Sequence, residues 1–143
     1  LGDTTVTVRA TDASGNVGSD ALVVSVIDTT SPTFTASVSP TTLWPPNHQM
    51  VRITPSLQIQ DACDASPATS LASASSSEPD NLPGNGDGNT VNDVQATSPT
   101  NIWLRAERAG NGGGRTYSLT FAATDASGNR TERLSAVAVP HHH

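Results

Sequence analysis

Apolar and polar residues alternate with a period of two along most of this chain, and no stretch sustains a 3.6-residue period. Val6, Val8 and Ala10 alternate with Thr5, Thr7 and Arg9, and Leu57 and Ile59 with Gln58 and Gln60. Ile102, Leu104 and Ala106 alternate with Trp103, Arg105 and Glu107. Tyr117, Leu119, Phe121 and Ala123 alternate with Ser118, Thr120, Ala122 and Thr124. Clusters of Gly, Pro, Asn and Asp punctuate each run and mark turns. The pattern predicts an all-β protein, an antiparallel β-sandwich of about seven short strands. With immunoglobulin lettering, the strands fall at 33–39 (A), 51–60 (B), 68–77 (C), 93–97 (D), 101–107 (E), 116–124 (F) and 131–139 (G). Two further strands, 3–11 and 20–27, form an extra hairpin ahead of them.

That hairpin is a repeat. Thr-Asp-Ala-Ser-Gly-Asn occurs at 11–16 and again at 124–129, and the flanking segments match too, with a period of 113 residues from Asp12 to Asp125. Such a period exceeds any solenoid repeat and is close to one small β-domain. The expected organisation is the closing F–G hairpin of a preceding Ig-like module over 1–28, a complete sandwich over 29–140, and an affinity-tag remnant at 141–143. The chain then reads as a slice of a tandem array whose partners are neighbouring modules.

Composition makes the interior meagre, because 34% of residues are apolar and 3% aromatic. A thin core favours an added cross-link. Cys63 is the only cysteine and there is no lysine, so neither an internal disulfide nor a Lys–Asn isopeptide staple can form. Metal ions are the remaining staple. The formal net charge is -6, which argues against nucleic acid and anionic membrane surfaces as partners. The longest predominantly apolar stretch, 21–27 with Ser25 within it, is far too short to span a bilayer, so no membrane insertion is expected.

Most of the acids are aspartates in turn-rich stretches, and hard oxygen ligands on loops suit Ca2+. Strand directions gather them at both ends of the sandwich. At one end Glu78 and Asp80 open a long loop, and the run Asn85-Gly-Asp87-Gly-Asn89 with Asp93 closes it. Asp87, Asn89 and Asp93 stand at relative positions 1, 3 and 7, which begins like a calcium loop but lacks the glycine and final glutamate of an EF-hand. Glu107, ending strand E, should approach the same place. At the other end are Asp28 in the junction, Asp61 and Asp64 in one loop, and Asp125 in another. Ions there would bridge consecutive modules. For Asp125 local turn chemistry is the better account, since Asp-Ala-Ser-Gly-Asn makes a tight hairpin turn.

Other chemistry is sparse. Trp44, in Leu43-Trp-Pro-Pro-Asn-His48, is expected to close an end of the sandwich. Trp103 lies out of phase with Ile102 and Leu104, and beside Arg105 it is a candidate sugar-stacking residue. The glycine run before Arg115 lacks the lysine and helix of a phosphate loop and reads as a turn. Outside the terminal histidines only His48 is present, so no triad or zinc site suggests itself and no catalytic residue is predicted.

Leu43-Trp-Pro-Pro-Asn-His, Asp61-Ala-Cys-Asp, Ser77-Glu-Pro-Asp, Gly86-Asp-Gly-Asn, Leu104-Arg-Ala-Glu-Arg and Thr124-Asp-Ala-Ser-Gly-Asn follow one another in order. Over 29–140 this series resembles bacterial extracellular Ig-like modules related to hyalin-repeat domains. The resemblance implies a secreted or surface protein in which the module spaces or adheres. It also implies cysteines near positions 63, 69 and 123; with Thr69 and Ala123 in their places the disulfide is lost and Cys63 should be a buried thiol. The expected function is thus a non-catalytic, calcium-stabilised structural or adhesive module. The alternative is a carbohydrate-binding module using Trp44, Trp103 and Arg105. Beyond neighbouring modules, the expected partner is an extracellular glycan or protein, the latter through addition of the 1–28 hairpin to a neighbouring chain.

Overall fold

The computed structural model describes residues 1–82 and 86–142, so Asn85 and His143 of the sequence reading lie outside the described residues. The chain divides into two compact units, Leu1–Thr30 and Ser31–His143. Every regular element among the described residues is a strand.

The first unit is a hairpin of β1 (Gly2–Thr11) and β2 (Val17–Val26), paired from Gly2↔Val26 to Thr11↔Val17. The second strand starts at Val17, ahead of the expected residue 20, because the turn is tight. Asp12 N donates to Asn16 O at 2.9 Å, so the ladder runs down to the turn itself. Val6, Val8, Leu22, Val24 and Val26 are exposed in this unit.

The second unit is a sandwich of seven strands: β3 (Thr33–Ser39), β4 (Met50–Gln60), β5 (Ala68–Ser76), β6 (Val94–Ser98), β7 (Asn101–Arg105), β8 (Gly114–Thr124) and β9 (Arg130–Pro140). One sheet has the order β3-β4-β7-β6 and the other β5-β8-β9, all antiparallel. Alternation decides which side chains meet between the sheets. Phe34, Ile53, Ile102 and Leu104 face inward from the first sheet; Tyr117, Leu119, Phe121, Val137 and Val139 do so from the second, each fully buried.

The strand expected over 101–107 ends at Arg105. Beyond it Ala106 N donates to Gln49 O and His48 N to Ala106 O, both at 2.9 Å, while Glu107 N donates to Arg105 O at 2.9 Å and turns the chain out of the ladder. That turn carries Glu107 into the interior of one end of the sandwich.

Candidate metal centre: a buried carboxylate and guanidinium cluster

At this end, β8 enters the sandwich and β7 leaves it. Arg115 occupies the same alternation phase as Tyr117, Leu119, Phe121 and Ala123, so the strand aims its guanidinium into the interior, and it is fully buried. A buried guanidinium needs partners for all its donors, and the long loop before β6 supplies them. Nη2 donates to Asp87 Oδ1 at 2.7 Å and to Pro79 O at 3.2 Å, Nε donates to Glu78 Oε2 at 3.1 Å, and Nη1 donates to Asp93 Oδ2 and, at 3.1 Å, to the Tyr117 hydroxyl. The Tyr117 hydroxyl in turn donates to Arg105 O at 2.8 Å.

Arg105 is the second cation. Its Nε donates to Asp93 Oδ1, Nη1 to His48 O and Nη2 to Val91 O, each at 3.0 Å. Glu107 completes the group. Its Oε2 accepts from the Thr90 hydroxyl and lies 3.1 Å from His48 Nδ1. Its Oε1 is buried without a hydrogen-bond partner, 3.7 Å from Arg115 Nη1. Oxygens of Asp87, Asp93 and Glu107 all lie within 4.8 Å of one another, and the three residues are buried.

Burial raises the pKa of Glu107, and the nearby Asp93 carboxylate adds to that shift against the hydrogen bonds from Thr90 and His48. Burial opposes the charge on Arg115, but its hydrogen bonds to Asp93, Tyr117 and Glu78 hold its proton more tightly than usual. Tyr117 is pushed up to about 12, chiefly by burial, so its hydroxyl stays a donor. Counted by formal charge, Glu78, Asp87, Asp93 and Glu107 face the two guanidiniums of Arg105 and Arg115. Two negative charges are left over when His48 is neutral.

The cluster thus brings together Glu78, Asp87, Asp93 and Glu107 of the predicted ligands. Asp80 plays a different part: its carboxylate caps the loop, accepting from Asn92 N and Asp93 N at 2.8 Å, and those bonds lower its pKa. Asn89 is exposed with φ 53° and stands outside the buried group. Sequence reasoning passed over Arg115, Tyr117 and His48 as members of the site. The signal for Arg115 was present, since it continues the buried phase of β8.

The opposite end is built from turns. Asp61 Oδ1 accepts from Cys63 N and Asp64 N at 2.8 Å, and Asp64 Oδ2 accepts from Ala126 N at 2.9 Å, tying the two loops together. Asp125 Oδ1 accepts from Ser127 N and Asn129 N, and Oδ2 from Asn129 Nδ2. Burial raises its pKa, but these bonds outweigh that and the carboxyl titrates below its usual range. Asp28 belongs to the first unit, where its Oδ1 accepts from Thr30 N at 2.9 Å. Cys63 is exposed, which corrects the expectation of a buried thiol: the Asp61 turn holds it at the surface.

Of the candidate sugar-binding residues, Trp103 is 37% and Trp44 44% exposed. The Arg105 guanidinium is committed to Asp93 and two carbonyls, so it does not serve a surface ligand beside Trp103. Comparison with protein-family models, curated proteins and solved structures finds no match to this chain.

Proposed function

We propose that this chain is a non-catalytic structural or adhesive module of a tandem array in a secreted or cell-surface protein, and that a divalent cation, Ca2+ by ligand type, stabilises its charged end. The observation that carries the module reading is the repeated hairpin. In the first unit Asp12 Oδ1 accepts from Ser14 N at 2.9 Å and Asn16 N at 2.8 Å, and Oδ2 accepts from Asn16 Nδ2 at 2.7 Å. Asp125 makes the same three bonds, at 2.9, 2.8 and 2.8 Å. Gly15 and Gly128 hold φ at 85° and 90°. Sequence and turn geometry therefore repeat together, as expected when one kind of module follows another. The sheet orders β3-β4-β7-β6 and β5-β8-β9 read as A-B-E-D and C-F-G, the arrangement of a constant-type immunoglobulin sandwich. This supports the Ig-like reading of the fold; the hyalin-repeat kinship and the extracellular bacterial origin rest on the sequence resemblance alone.

The calcium reading rests on the charge surplus and on Glu107 Oε1. Two uncompensated buried charges are costly, a divalent ion cancels both, and an all-oxygen donor set is what Ca2+ takes. Residues Asp87, Asp93 and Glu107 would hold it, beside the guanidinium that already offsets part of their charge. The test is thermal unfolding with chelator and with millimolar Ca2+. The reading expects a higher Tm with Ca2+, and a Glu107→Gln variant, one charge poorer, whose Tm no longer responds. Equal melting of the unsubstituted protein in both conditions would remove the cation from the account.

A further inference from the structure

The outer face of the β3-β4-β7-β6 sheet is polar and carries no carboxylate on its strands. The chain carries thirteen acidic residues, yet none occurs in any of these four strands. Their exposed positions are Ser, Thr, Gln and Asn, with one arginine and one aromatic ring. Those last two are neighbours. Trp103 of β7 pairs with Arg52 of β4 on one side and Gln95 of β6 on the other, which sets three long side chains in one row across the sheet.

Cross-strand partners on one face lie about 5 Å apart, so Arg52 and Gln95 flank the indole at the spacing of ring substituents. Asn101 Oδ1 accepts from Trp103 Nε1 at 3.2 Å and fixes the ring's orientation. Among the described residues the only guanidinium stacked on an aromatic ring is that of Arg115 on Tyr117. The Trp103 side chain is 37% exposed.

We infer that this face binds a neutral polysaccharide, with one sugar ring stacked on Trp103 and its hydroxyls met by Arg52 and Gln95. A protein partner would find no second large apolar side chain beside the tryptophan to form a buried anchor cluster. A row of amides and hydroxyls around one ring instead matches a flat, uncharged polyol, which an aromatic surface and a few placed polar groups recognise. The absence of carboxylates makes this binding independent of Ca2+, so its failure and that of the cation reading are separable.

The test is native affinity electrophoresis of the intact protein, with chelator, through gels containing a soluble glucan, xylan, mannan or galactan. At least one polymer should retard the protein. Trp103→Ala should weaken that retardation by about tenfold or more, and Gln95→Ala by a smaller factor. Because Trp103 is a surface residue, Trp103→Ala should melt close to the unsubstituted protein, which separates lost binding from lost fold. Unretarded migration through all four polymers overturns the inference, as does retardation that survives Trp103→Ala.

Discussion

Arg115 shows how one side chain organises an end of this sandwich. Its five donors reach Glu78, Asp87, Asp93, Tyr117 and Pro79 O, and no other side chain offers that fork. Removing one partner of a buried ionic group costs more than the group contributed, because the remaining charges keep their desolvation penalty. Arg115→Met should therefore destabilise the protein by about 3–5 kcal/mol in urea unfolding. Arg115→Lys should recover only part of that loss, since one ammonium cannot replace a planar fork. Asp125 gives a residue-scale test of pH. Its folded pKa is lowered from the usual 3.8, so its contribution is present above that value and is lost as pH falls through the folded pKa. Asp125→Asn keeps an acceptor for Ser127 and Asn129 but presents an amide to the Asn129 amide. Its Tm deficit against the unsubstituted protein should be full at neutral pH and shrink as pH drops below about 3.8. A constant deficit would remove the carboxylate's charge from the turn's account.

At the scale of elements, alternation carries most of the structure. The seven strands of the sandwich lie close to the ranges read from period-two patterning, and Leu119 and Phe121 are buried on the phase that patterning assigns. Phe121→Ala should cost about 3–5 kcal/mol, because its ring fills a core with few large residues. Patterning was silent where hydrogen bonds outside the ladder take over. Glu107 turns inward only because its own N–H closes onto Arg105 O, and loop side chains have no periodicity to betray their direction. The charged end was therefore legible as a group of acids but not as an arginine-centred network. The loop also demands a specific glycine. Gly88 sits at φ 67°, and a Cβ there would lie 2.6 Å from His48 Nδ1. Gly88→Ala should lower stability by about 1–2 kcal/mol in urea unfolding and disturb the His48–Glu107 contact. An unchanged urea midpoint would mean the loop has room to spare.

For the whole molecule, the thin apolar interior and the buried charge are two sides of one design. A core of about a dozen buried apolar side chains leaves one end of the sandwich to be held by ionic contacts, and those contacts carry more negative charge than the two arginines cancel. The 113-residue repeat, seen first as a string of letters and again as matching turn hydrogen bonds, was the most legible feature at this scale. What the sequence could not weigh was how far arginine already neutralises the acids, because that depends on which residues meet in space. The most direct test is the melting temperature of the intact chain in chelator and in Ca2+ raised to saturation. A ligand at about one hundred times its Kd adds about 2.7 kcal/mol to the folded state, so a clear upward shift is expected, and it should vanish in Glu107→Gln. Superimposable melting curves for the unsubstituted protein in chelator and in Ca2+ would contradict the account.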